Sequence, residues 1–219
     1  MVNTFEIDSV QLFFGDRSIL SDVYLRIQTG EIIALLGRNG SGMSSLIKIM
    51  FGSLIPQNSF IRLNDQVIKR TFLQYGMVAI LPQESFLLPF LTVERSVNCF
   101  LTKETVQKCL NDPLLKDLIK SRISDLSGGE KRYLEIKLIL ESKAKFIFLD
   151  EPFNGISPLF IENIQYLIKV ASKTAGILVS DHNYESVLEI ATRQIVIHSG
   201  SLKHIKVRDD LVKWGYLSS

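Results

Sequence analysis

The sequence predicts an α/β fold: a mostly parallel core sheet covered by helices, an N-terminal antiparallel β part and an inserted helical lobe. Three observations carry this. Short apolar runs alternate with helix-period segments through the second half of the chain, the rhythm of βαβ units. A glycine-rich loop, Gly37-Arg38-Asn39-Gly40-Ser41-Gly42-Met43-Ser44-Ser45, stands between an apolar run and a helical segment. From about 85 to 124 the strand pattern stops and helical periodicity replaces it. With 219 residues there is enough chain for one good core. Residues 1–219 read as one domain, with 1–84 and 125–219 as its core and about 85–124 as the lobe.

The elements follow in order. Thr4 to Phe14 and Val23 to Ile27 have strand character, the second closed by Thr29-Gly30. Glu31 to Leu36 carries a continuous apolar run, as a strand buried on both faces should. A helix is predicted from about Met43 to Phe51, its N-terminus aimed at the glycine-rich loop. Ser59 to Leu63 and Val67-Ile68 flank Asn64-Asp65, a hairpin turn. Met77 to Leu81 is a strand ended by Pro82. Thr92 to Leu101, Lys103 to Leu110 and Pro113 to Ile119 supply the helices of the lobe. Ser127 caps a helix to about Leu140, with Glu130 three residues on completing a capping box. Strands return at Lys145 to Leu149, Gly176 to Ser180 and Arg193 to His198, separated by helices Pro158 to Ala171 and Tyr184 to Ile190. The basic stretch Lys203 to Lys213 reads as a solvated face.

Composition narrows the function. A net charge of +2 is far from the basic excess of a nucleic-acid binder, so no nucleic-acid partner is expected. A content of 46% hydrophobic and 22% charged residues argues against disorder and points to a surface covered by a partner. No apolar run approaches the roughly 18–20 residues that span a bilayer. The first residues lack a basic-then-apolar leader. Cys99 and Cys109 read as buried thiols of a reducing compartment. The expectation is a cytoplasmic protein.

The chemistry lies in three motifs. The loop at 37–45 has the spacing G-x-x-x-x-G-K-[ST], with Met43 at the lysine position. Its glycines let backbone N–H groups face an anion, and the following helix N-terminus adds a favourable partial charge. Ser44 would offer its hydroxyl oxygen to Mg²⁺. Downstream, Phe146-Ile147-Phe148-Leu149-Asp150-Glu151 is an apolar strand ending in two carboxylates. Asp150 would hold Mg²⁺, and Glu151 would polarise an attacking water as general base. Between them, Leu126-Ser127-Gly128-Gly129-Glu130 offers a second helix N-terminus suited to phosphate.

Together these motifs resemble those of ATP-binding cassette (ABC) proteins, and the resemblance covers essentially the whole chain. It implies a P-loop NTPase that binds ATP with Mg²⁺. It implies a head-to-tail dimer, homodimer or heterodimer with another cassette, sandwiching two nucleotides. Integral membrane subunits would then hold the protein on the inner face of the cell membrane. By the same resemblance Gly37, Asn39, Gly40, Ser41, Gly42, Met43, Ser44 and Ser45 form the phosphate loop. Ser127, Gly128 and Gly129 would contact ATP held by the other subunit. Gln83 matches the glutamine that senses Mg²⁺ and water where the lobe begins, and His182, in Ser180-Asp181-His182-Asn183, matches the histidine that touches the γ-phosphate. Phe14 sits where the family stacks an aromatic on adenine, with Phe13 as competitor and a core role as the alternative. Leu81-Pro82-Gln83-Glu84, Asp150 to Gly155, Ser180 to Asn183 and the ending Leu211 to Leu217 are similar to the ATPases of lipopolysaccharide export and branched-chain amino-acid uptake.

Two positions depart from the pattern. Methionine at 43 matches the lysine stem but has no donor. A hydrogen bond to a charged group contributes about 1.5–3 kcal/mol, so its loss predicts a roughly 10- to 150-fold weaker interaction. Lys48 is a poor substitute, about 140° around the helix and about 7.5 Å along it. Ser157 occupies the position of an aspartate that couples the two sites, and it also suits a helix cap before Pro158. Phe86-Leu87-Leu88-Pro89-Phe90-Leu91 either receives a membrane partner or packs within the lobe. The resemblance therefore implies a transport-coupled ATPase with impaired hydrolysis. Its rivals are a soluble non-transport cassette ATPase and a degenerate nucleotide-binding regulatory module.

Overall fold

The computed structural model describes residues 2–69, 71, 76–214 and 216. Two sheets form. β1 (Thr4–Phe14), β2 (Arg17–Gln28), β4 (Asn58–Leu63) and β5 (Gln66–Ile68) make an antiparallel sheet in the order β2-β1-β4-β5. β3 (Ile32–Gly37), β6 (Val78–Leu81), β7 (Phe146–Asp150), β8 (Gly176–Ser180), β9 (Arg193–His198) and β10 (Ser201–Ile205) make a six-stranded sheet in the order β10-β9-β3-β8-β7-β6. Every pair in it is parallel except β10 with β9.

The sheet's apolar strands separate their side chains by the two-residue period. Ile33, Leu35, Phe146, Phe148 and Leu178 join one core, shared with the antiparallel sheet and with α1 (Met43–Phe51). Ile32, Ala34, Leu36, Ile147, Leu149, Ile177 and Val179 join the other. That second core takes in α4 (Gly128–Leu140), α5 (Pro158–Ser172) and the lobe helices α2 (Val93–Phe100) and α3 (Lys103–Leu110). Phe5 pins the two sheets together, its ring centroid 5.6 Å from Phe146 and 5.3 Å from Phe148. The 64–65 turn follows expectation: Asn64 and Asp65 both have positive φ (50° and 63°), as a two-residue hairpin requires.

Several expectations need correction. Pro113 to Ile119 is not a helix; only a 3-10 turn at Lys116–Leu118 forms. The Asp112 side chain accepts the Leu114 N–H at 2.9 Å, a local turn that competes with helix. Lys203 to Lys213 is not simply a solvated face. It holds β10 and α7 (Arg208–Lys213), and Ile205 and Leu211 are buried. Cys99 is exposed; only Cys109 is buried, which pushes its thiol up to about 11. The stretch 86–91 divides: Leu87 is buried and Phe86 packs edge-on to Phe100, whereas Leu88 and Phe90 face outward. α6 (Tyr184–Leu188) ends slightly before Ile190, and β2 begins at Arg17, well before Val23. Gly215 and Leu217 of the C-terminal resemblance lie outside the described residues.

Candidate nucleotide site

The carboxyl ends of β3, β6, β7 and β8 lie side by side, where open α/β sheets bind ligands. The loop after β3 leads into α1, whose N-cap is Gly42 in the left-handed region (φ 105°), with no side-chain cap bond. The first backbone donors of α1 are therefore left to an outside acceptor. A side chain at Gly37 would collide with Ser41 Oγ and approach Met43 Cγ and Sδ at 3.2 Å, so the loop folds back over Gly37 closely enough that those two side chains would have to shift. Met43 is 7% exposed and belongs to the core between α1 and the sheets. Lys48 is exposed on a later turn of α1.

Ser44 Oγ donates to Asp150 Oδ1 at 3.1 Å, and Ser180 Oγ donates to the same oxygen at 2.7 Å. The phosphate loop and the end of β7 thus meet through a hydroxyl and a carboxylate. One carboxylate, one hydroxyl and phosphate oxygens are the hard donors Mg²⁺ takes. Gln83 is turned elsewhere: its amide donates to Glu151 Oε2 at 3.1 Å. Asn154 donates to that same oxygen at 2.9 Å, and His182 Nε2 lies 3.3 Å from Glu151 Oε1. Glu151 has φ 51°, an uncommon left-handed conformation for a non-glycine residue. Its N–H is held by Ser180 O at 2.8 Å. The neighbouring Asp181 accepts the Phe153 N–H at 2.7 Å and the Asn183 N–H at 2.8 Å. Burial pushes the Asp181 pKa up, against those two donors.

Arg38 and Asn39 line a cleft of about 520 Å³ with Gly37, His182, Tyr184 and Tyr216. Phe14, at the end of β1, is 55% exposed, which removes the core alternative; Phe13 is 38% exposed and its backbone is tied to Gln57. Ser127 caps α4 as expected. It accepts the Glu130 N–H at 3.3 Å, and Glu130 accepts the Ser127 N–H at 2.8 Å. Among the described residues no hydrogen bond joins Ser127, Gly128 or Gly129 to loop 37–45. Ser127 and Gly128 are exposed. Ser157 occupies the N-cap of α5 but makes no side-chain cap bond, so the capping role does not explain it.

Sequence reasoning missed the buried hub behind Glu151. Arg132 of α4 donates to the carbonyls of Pro82 (2.8 Å), Asp150 (2.7 Å) and Glu151 (3.1 Å) and pairs with Glu135 at 3.2 Å. Glu135 in turn accepts the Ser85 hydroxyl. One guanidinium therefore fixes the backbone just before Gln83 and at Asp150 and Glu151. Arg132→Gln leaves Glu135 buried and unpaired, and breaking such a pair costs about 3–5 kcal/mol. Urea unfolding should show that loss; a loss below about 1 kcal/mol would show that the hub is not holding the site.

The comparisons agree with this geometry. Residues 20–154 match the family model described as ABC transporter. The lipopolysaccharide export system ATP-binding protein of Acidithiobacillus ferridurans is 31% identical over 202 residues, covering 85% of this chain and 83% of that protein. The high-affinity branched-chain amino acid transport ATP-binding protein of Pseudomonas aeruginosa is 28% identical, with 89% of each chain covered. Among solved structures, an ATP-binding subunit of an ABC transporter superposes with a TM-score of 0.82 at 25% identity, covering 98% of this chain and 95% of that one. With a glycine loop at β3, adjoining carboxylates at β7 and the capped Ser-Gly-Gly helix between them, this chain belongs to the ABC transporter family of ATP-binding subunits.

Proposed function

We propose that this chain binds and hydrolyses ATP to drive an ABC transporter, and that Met43 makes its hydrolysis slow. The observation that carries this is the convergence of Gln83, Asn154 and His182 on the Glu151 carboxylate, beside the Ser44–Asp150 pair. A carboxylate so oriented can take the proton of a water attacking the γ-phosphorus, while the bond to the bridging oxygen breaks and ADP leaves with its electron pair. His182, beside the Glu151 carboxylate, would contact the γ-phosphate, and Gln83 would orient the carboxylate. Mg²⁺, entering with ATP and held by Ser44 and Asp150, would neutralise charge on the phosphate oxygens. Phe14 would stack on the adenine, and the unfilled N-terminus of α1 would take the phosphates.

Ser127 and Gly128, which are exposed, and Gly129 beside them would complete the ATP site of a second cassette, identical or not. Membrane subunits would meet the outward side chains Leu88 (50% exposed), Phe90 (68%) and Phe100 (49%). Two experiments test this. ATP with Mg²⁺ should shift the protein from monomer to dimer in sedimentation, and a mass independent of ATP would count against closure. Phe90→Glu should abolish co-purification with integral membrane subunits while leaving the unfolding midpoint unchanged, because exposed substitutions alter stability within about 0.5 kcal/mol. If Phe90→Glu unfolds the chain instead, the apolar stretch belongs to the lobe core. Met43 also favours a second reading, a regulatory module that binds ATP without turning it over.

A further inference from the structure

The family loop carries a lysine where this chain has Met43, and besides Arg38 within the loop the fold presents a second cation beside it. Arg17 opens β2, and its cross-strand partner is Phe14. A methyl group placed on Gly40 would lie 4.0 Å from Arg17 Nη2, so the guanidinium reaches the neighbourhood of the phosphate loop at Gly40. Two further β2 side chains hold the strand there: a methyl on Gly42 would lie 3.0 Å from both Ile19 Cγ2 and Leu20 Cδ2. Arg17 is exposed, and no carboxylate of the described residues lies within ion-pair distance of it. Met43, by contrast, is drawn into the core. We propose that Arg17 supplies the charge-assisted contact to the ATP phosphates that the residue at 43 cannot. Base and phosphate contacts would then come from one hairpin end, Phe14 against adenine and Arg17 against the triphosphate.

This inference rests on the nucleotide reading above. Arginine suits the role, with five donors in a planar fork that is always charged and matches phosphate oxygens. A surrogate differs from an ordinary basic neighbour in one way: its importance depends on residue 43.

The test is a double-mutant cycle on ATP affinity, measured by calorimetry with Mg²⁺. Arg17→Gln in the chain as it stands should weaken ATP binding by roughly 10-fold or more, the loss of a hydrogen bond to a charged group. In the Met43→Lys background the same substitution should cost at most about threefold, because lysine then meets the phosphates. Lys48→Gln, which removes the same charge from an exposed position on α1, should leave affinity unchanged, separating contact from net charge. Equal losses from Arg17→Gln in both backgrounds, or none in either, would overturn the proposal while leaving the nucleotide reading standing. If neither the parent nor Met43→Lys binds ATP, the nucleotide reading fails and this inference fails with it.

Discussion

Met43→Lys should raise steady-state ATP turnover by roughly 100-fold. Removing one preorganised donor from charge that develops in a transition state costs about 10²–10³ in rate, and this chain begins without that donor. The rest of the site is in place for a lysine to act. Ser44 and Asp150 meet at 3.1 Å, and Glu151 is gripped from both sides. The methionine stem folds over Gly37, so a lysine has room for the same methylenes. Its ammonium would extend toward the mouth of the loop and stay hydrated until ATP arrives. Stability without nucleotide should fall slightly, since Met43 contributes buried apolar surface. Excess ATP should recover that loss, because a ligand that binds only the native state stabilises it. Turnover that stays at the parent level while ATP binds tightly would place the defect elsewhere and favour the regulatory reading. Turnover that rises with protein concentration would mark a disabled dimeric ATPase.

What the sequence made legible follows from how local each signal is. β8 and β9 were readable to the residue, and α1 closely, because an apolar pattern or a glycine loop marks their ends. The site motifs were readable because each is a short contiguous string on one loop or strand end. β10 was hidden because its lysine and histidine break the apolar pattern, although Lys203 lies over the Trp214 ring and only His204 is exposed, and because its burial depends on pairing with β9. The 113–119 segment has a helical composition, yet the Asp112 side chain spends its acceptor on a local turn. Arg132 was the least legible of all. A charged residue just after a capping box has the pattern of a solvated helix face, and its acceptors are carbonyls 18, 19 and 50 residues away in the chain. Met43 itself was visible, but its burial was not, because that depends on packing between α1 and the two sheets.

Glu151→Gln, made in the Met43→Lys background, should lower turnover by about 10²–10⁴, the usual contribution of a positioned general base. The substitution isolates basicity from shape. The amide oxygen can still accept from Gln83 and Asn154, and the amide nitrogen can face His182 Nε2. The backbone is held independently by Ser180 O and the Arg132 guanidinium, so the left-handed turn at 151 should persist. ATP affinity should therefore remain within a few-fold, and the ATP-bound dimer should accumulate, because no hydrolysis reopens it. Single-turnover measurements of phosphate release, run beside sedimentation of the ATP complex, separate these effects. Turnover within about threefold of Met43→Lys alone would remove Glu151 as the base. Loss of ATP binding would mean that its negative charge organises the site rather than drawing a proton from water. The two substitutions act on different atoms of one step: lysine restores positive charge at the phosphates, and glutamine removes the proton acceptor opposite them. If both roles are as assigned, the double variant should bind ATP more tightly than the parent and still hydrolyse it no faster, a combination that neither a damaged fold nor a purely structural Glu151 would produce.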